Sequence, residues 1–259
     1  MITGISTACF CGRYETEDSF EILKELGVRN CELFLRTFYE YRPDFAKKFA
    51  PRTEGIKAEA VSVLPFNFEP QLFLPSLRQR GDGYYWLEQL MRSMRLFGAD
   101  KYVFRGLVCK DGKEYDYGYL SEMLNEVIGM CSGSGVSLCL ENNRCGLYNR
   151  PSVFKQLKER CGGLSGVLNI EEARLSGYPY NKYIEDMEGS ISLVRLSDID
   201  KDGKVCLPGK GINNFAEILK RLKGAGFDRT VLIDTQNFGD LSELKQSLDF
   251  LNEIVYKIK

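Results

Sequence analysis

Short apolar runs along this chain end on side chains that can carry charge or move protons. NCELFL contains Glu32 and is followed by Arg36, KYVF is followed by Arg105, and VSLCL is followed by Glu141. GVL leads into Asn169 with Glu172 three residues on, LV into Arg195, and TVLI into Asp234. A carboxylate so placed serves as a general acid or base. An arginine there offers a permanent planar cation for a carboxylate, a phosphate or a developing oxyanion. Charge at the end of an apolar segment is costly to bury unless it is paired or used. The sequence contains 0 histidines, which excludes any mechanism that needs an imidazole base, shuttle or ligand. Its 9 cysteines are irregularly spaced and include no Cys-x-x-Cys pair, a pattern of thiols kept in a reducing cytosol. Cys9 and Cys11 lack a nearby activating partner and read as inert.

The elements that must position these residues alternate regularly. Strands are expected at Met1–Phe10, Asn30–Leu35, Lys57–Leu64, Lys101–Leu107, Val136–Leu140, Ser165–Ile170, Ile191–Leu196 and Thr230–Asp234. Helical patterns separate them. Phe20, Leu23 and Leu26 recur at helical spacing between a Thr16 cap and a Gly27 stop, and a second helix lies near Asp44–Glu54. Leu87, Leu90, Met91, Met94 and Phe97 share one face of a long helix, with further helices at Leu120–Met130 and Ser152–Arg160. A weaker helix spans Asn181–Glu188, another Ile212–Leu222 before Gly224, and Asp240 with Glu243 caps the last. Strands separated by helices imply parallel pairing through crossovers. Residues 1–259 suit one (β/α)₈ TIM barrel, which typically takes about 250. An open doubly wound sheet would advertise a glycine-rich phosphate turn after strand one, where this chain has CFCGRYE. The formal net charge of −1 argues against a nucleic-acid partner. No basic leader and no stretch of ~18 apolar residues is present, so a cytoplasmic protein without a membrane partner is expected.

Active sites of such barrels sit at the C-terminal ends of the strands. With a period of two, an inward Glu141 takes Cys139 with it and an inward Arg195 takes Leu193. The segments NCELFL, VSLCLENN, GVLNIEEARLSG, LVRLSDIDKDGKVCLPGKGINNFAEIL and TVLIDTQ resemble the xylose isomerase-like barrels, the sugar phosphate isomerases and epimerases also called AP endonuclease family 2. The resemblance covers essentially the whole chain. It implies a divalent metal of the Mn, Mg or Zn type, held by Glu, Asp, His and Glu after strands five to eight. Those positions are Glu141, Asn169, Arg195 and Asp234 here. Family histidines map to Glu172, Leu64 and Arg105. A guanidinium has no lone pair to offer a cation, so the usual metal site is expected to be lost. Any metal would be left with Glu141, Asn169 and Asp234.

The resemblance implies proton abstraction beside a carbonyl through an enediolate; with the residues present, Glu141 and Asp234 would be the bases and Arg195 would stand in for the metal. Dehydration of a keto-polyol would use the same groups. The alternative is a catalytically silent barrel that binds a sugar or an anionic metabolite. The endonuclease branch, which relies on histidine-bound zinc, does not fit. An anionic carbohydrate is expected as ligand, clamped by Arg36, Arg105 or Arg144, with Glu32, Asn169 and Glu172 at the mouth. Gly209-Lys210-Gly211 reads either as a phosphate cradle or as a plain turn. Residues 66–70 read as an apolar lid or as rim packing, and Tyr178-Pro179-Tyr180 as an anchor for the weak helix or a sugar platform. A homo-oligomer is compatible with the family.

Overall fold

The computed structural model describes residues 1–109 and 114–258. The apolar runs form β1 (Ile2–Ser6), β2 (Asn30–Leu35), β3 (Lys57–Val63), β4 (Lys101–Phe104), β5 (Ser137–Glu141), β6 (Ser165–Asn169), β7 (Ile191–Leu196) and β10 (Thr230–Ile233). They pair in the order β1-β10-β7-β6-β5-β4-β3-β2, and β2 returns to β1 to close an eight-stranded parallel barrel. Both faces of the strands are covered, which is why β7 is buried at every position, its polar Ser192 and Arg195 included. Gly4 is required where β1 meets β2, because a Cβ there would lie 2.3 Å from the Asn30 carbonyl oxygen.

Around the barrel lie α1 (Ser19–Glu25), α2 (Pro43–Phe49), α3 (Leu77–Phe97), α4 (Tyr117–Ser132) and α5 (Val153–Lys158). They are followed by α6 (Ile170–Leu175), α7 (Tyr180–Met187), α8 (Phe215–Gly224) and α9 (Leu241–Ile258). Leu138 and Leu140 point outward into the core between sheet and helices. The opposite set, Ala60, Val103, Cys139, Val167, Leu193 and Leu232, forms a separate apolar plug inside the barrel. Cys139 and Leu193 therefore face inward, as the period of two requires. Among the described residues no helix is long and apolar enough to cross a membrane.

The departures from the sequence pattern lie at strand ends. The first strand stops at Ser6 and continues as a 3-10 turn, Thr7–Phe10. Thr16 does not cap α1; its hydroxyl donates to Glu40 Oε1 at 3.0 Å, and Asp18 occupies the cap position. Helix α8 starts at Phe215 rather than Ile212, because the Asn214 side chain accepts the Glu217 N–H at 3.2 Å. Three elements are additional, a short helix and the two strands of a hairpin. Asn169 ends β6 and caps α6 directly, accepting the Glu172 N–H at 3.1 Å, with Glu171 and Glu172 favourably placed in the first turn. After β7, β8 (Asp198–Ile199) and β9 (Val205–Cys206) form a small antiparallel hairpin.

Candidate active site

Two residues beyond the apolar plug, each inward position turns polar: Ser62, Arg105, Glu141, Asn169, Arg195 and Asp234. Arg195 stands at the centre of this layer. Its Nε donates to Glu32 Oε2 at 2.9 Å while Nη2 donates to Glu32 Oε1, a two-pronged pair. Nη1 donates to Glu141 Oε1 at 2.8 Å and lies 3.4 Å from Asp234 Oδ2. On the other side of Glu141, Arg105 Nε sits 2.7 Å from Oε2, an ion pair without an aligned hydrogen bond. Asn169 Nδ2 donates to Glu141 Oε1 at 2.9 Å, and the hydroxyls of Ser6 and Ser62 donate to Glu32 Oε1. Glu32 and Glu141 are wholly buried. The layer opens upward into a cavity of about 350 Å³ that Arg105, Glu141, Arg195 and Asp234 all line.

Three carboxylates share two guanidiniums, and the competition separates the proton affinities of Glu141 and Asp234. Burial alone would raise the Glu141 carboxyl, but Arg105, Arg195 and the Asn169 amide outweigh it and hold Glu141 below the usual range. Asp234 goes the other way. Burial and the repulsion of Glu32 and Glu141 overcome the pull of Arg195 and raise it to about 6. Burial works against the Arg195 charge, yet Glu141, Glu32 and Asp234 more than compensate and keep it a cation. Asp234 can thus exchange a proton near neutral pH, whereas Glu141 is a fixed anion.

A family model described as the xylose isomerase-like TIM barrel matches residues 20–254. The chain belongs to that family. Its barrel superposes on the structure of a D-tagatose 3-epimerase-like protein with a TM-score of 0.78 at 20% identity, covering 98% of this chain and 100% of the other. An L-ribulose 3-epimerase gives 0.79 at 17% identity over 100% and 96% of the two chains. An IOLI protein with a binding zinc atom gives 0.75 at 17% identity over 100% and 98%. No curated protein matches the chain in sequence.

The family implies a divalent ion among the strand ends, and the residues here do not fit one. The Arg195 guanidinium occupies the centre and brings its charge to within 2.8 Å of Glu141 and 3.4 Å of Asp234. The Asn169 side-chain oxygen is spent on the cap of α6, leaving only its amide group toward Glu141. Among the described residues no group of three or more acidic or sulfur side chains is placed so as to hold a metal ion.

Of the residues singled out from the xylose isomerase-like pattern, Glu32, Arg105, Glu141, Asn169, Arg195 and Asp234 come together in one layer. Glu172 lines the cavity wall and accepts the Arg144 N–H at 2.9 Å, and burial raises its carboxyl. Others lie elsewhere. Arg36 pairs with Glu15 at 2.5 Å and is not part of the cavity wall. Arg144 contributes its backbone while its exposed side chain stays outside that wall. Lys210 is exposed, and no phosphate cradle forms around it: the Asp198 carboxylate accepts the N–H groups of Gly209, Gly211 and Asn213 at 2.9–3.1 Å. The expected arginine clamp for an anionic ligand is therefore reduced to Arg105, which is already on the Glu141 carboxylate. Residues 66–70 pack on the rim instead of forming an apolar lid, with Phe68 and Glu69 buried. Leu64 is exposed. Cys9 is buried between Ile233 O and Thr235 N, each 3.4 Å from its sulfur, and burial pushes its thiol up.

Three contributors escaped the sequence reading. Glu69 reaches under the rim and accepts from Tyr102 OH at 2.7 Å, Arg105 N at 3.0 Å and Gly106 N at 2.9 Å, so it fixes the turn that presents Arg105. Asn142 ties the ends of β5 and β6 together through the Asn169 backbone at 2.7 and 2.9 Å. Glu171 lines the cavity from the first turn of α6. The one local hint was an acidic residue, Glu69, among the aromatics of FNFEP; its partners lie 33–37 positions away.

Proposed function

We propose that this xylose isomerase-like barrel is a sugar isomerase or epimerase that works without the family's metal. Asp234 removes a proton from the carbon next to a sugar carbonyl. The C–H electron pair moves into the new C=C bond and the carbonyl pair onto oxygen, giving an enediolate. Return of the proton by Asp234 to the former carbonyl carbon, while that carbon's oxygen takes the hydroxyl proton of its neighbour, gives the isomer. Delivery of a solvent proton to the opposite face of the first carbon, with Asp234 releasing its own to solvent, gives the epimer. Arg195 and Arg105 supply the fixed positive charge that the developing oxyanion needs. Glu141 holds both guanidiniums in place and is itself a poor base, because its oxygens face two cations and an amide. The observation that carries this reading is the pairing of a central guanidinium with one carboxylate, Asp234, that opens on the cavity and keeps its proton up to about pH 6. The epimerase names of the structural neighbours support a carbohydrate ligand.

The ligand that suits the mouth is an uncharged sugar. Glu141, Glu171, Glu172 and Asp234 line it against Arg105 and Arg195, so a phosphate or carboxylate would meet net repulsion. Deuterium incorporation at C–H positions of D-fructose, D-tagatose and related ketoses in heavy water tests the chemistry. Exchange is expected with a rising pH limb near 6, lost in Asp234→Asn. Exchange that survives Asp234→Asn would remove the assignment of the base. The occupied N–H groups of Arg195 favour a second reading, a barrel that binds a sugar without turnover. Saturable binding with no exchange in any ketose would establish that reading instead.

A further inference from the structure

Beside the mouth lies a second cavity of about 330 Å³. Glu171 lines both, and the Ser197 hydroxyl lies 3.4 Å from its Oε2. Tyr178 and Tyr180 also line the second cavity. Tyr178 is 42% exposed, a large apolar surface left to solvent. The turn at Gly177 (φ 77°) and Pro179 at the cap of α7 set its backbone. The ring itself is braced edge-to-face by Tyr183, with centroids 6.4 Å apart at 84°. Tyr183 is wholly buried and its hydroxyl donates to Asn149 O at 3.3 Å, so the brace cannot drift. Around the platform stand Arg174, Asn213 and Glu171, one cation, one amide and one carboxylate.

An exposed tyrosine ring among balanced polar groups matches a pyranose, whose C–H face is apolar and whose hydroxyl rim needs donors and acceptors. We propose that this second cavity is a subsite for a second sugar ring, so that the substrate is a glycosylated keto-sugar rather than a monosaccharide. The reacting ring sits over Arg195 and Asp234, and the glycosidic link passes Glu171. The inference rests on the reading of the mouth as a carbohydrate proton-transfer site.

The test compares D-fructose with three glucosyl-fructoses linked at O3, O4 or O6 (turanose, maltulose and palatinose). Two readouts are taken on the full chain: C–H deuterium exchange, and saturation-transfer NMR of the glucosyl protons, which reports binding without turnover. At least one disaccharide is expected to exchange about tenfold faster than fructose per unit concentration, the scale of one aromatic contact. Tyr178→Ala should erase that advantage and leave fructose exchange unchanged. If fructose exchanges as fast as every disaccharide, or Tyr178→Ala changes nothing, the subsite is refuted while the chemistry at the mouth stands. If no sugar exchanges, the reading of the mouth fails and NMR decides the subsite. Saturation of the glucosyl ring that is kept in Asp234→Asn and lost in Tyr178→Ala upholds it; no saturation overturns it.

Discussion

Replacing Asp234 by Asn should stabilise the protein while removing the proposed base. In the folded chain the Asp234 carboxyl keeps its proton to about pH 6, against 3.8 for an unperturbed aspartate. At ~1.36 kcal/mol per pH unit, that gap is a cost of about 3 kcal/mol for holding the ionised form in place. The sign follows from proton binding. Below about pH 3.8 both folded and unfolded chains carry the protonated group, and no penalty exists. Between 3.8 and about 6 the unfolded chain ionises first, so stability falls as pH rises. Above 6 the penalty is complete and constant. Asparagine is close in shape to the protonated acid and avoids it. Urea unfolding of wild type and Asp234→Asn at pH 7.5 should therefore differ by about 3 kcal/mol in favour of the variant. The difference should vanish near pH 3.5, where each protein is compared with the other under the same charge state of all remaining groups. A variant that is less stable at pH 7.5, or whose advantage persists at low pH, would refute the claim that Asp234 is a strained carboxylate.

Three further outcomes follow from the same geometry. Arg195→Met leaves Glu32 and Glu141 buried without their shared cation and should cost about 3–5 kcal/mol in urea unfolding; adding Glu32→Gln should recover part of it, and a loss within ~1 kcal/mol would show the network to be energetically idle. Gly211→Ala places a Cβ 2.1 Å from Ile199 O and 2.6 Å from Asp198 Oδ1, so the β8–β9 hairpin must shift, at a cost of about 1–3 kcal/mol read as a lowered Tm. Titration with Mn²⁺ should leave Tm unchanged, because the central guanidinium repels the ion; a stoichiometric rise in Tm abolished by Glu141→Gln would restore the family metal site.

The strand-end residues were legible because the signals that place them are local. An apolar run of period two puts Cys139 and Glu141, or Leu193 and Arg195, on one side of the strand whatever the rest of the chain does. The alternation of strands and helices then assigned those strands to one barrel, and the expectation that the metal site is lost followed from the chemistry of arginine at position 195. Local signals also misled at the edges. The glycines of residues 209–211 look like a phosphate turn in isolation, but the Asp198 carboxylate, eleven and thirteen positions earlier, already holds their N–H groups. Asn169 looked like a spare ligand because its role as cap of α6 depends on a helix the periodicity did not reveal.

The sequence by itself put Arg105, Glu141, Asn169, Arg195 and Asp234 at strand ends and determined that no imidazole can join them. Only the tertiary structure decided how those charges divide. Glu141 and Asp234 look equivalent along the chain, each an acid closing an apolar run. Closure of the barrel sets Glu141 between two guanidiniums and leaves Asp234 with a share of one, beside two other carboxylates. The same closure brings Glu69 under Arg105 across 36 residues. Proton affinity in a buried site depends on distances of 3–4 Å between groups far apart in sequence, a property that spacing along a chain does not encode.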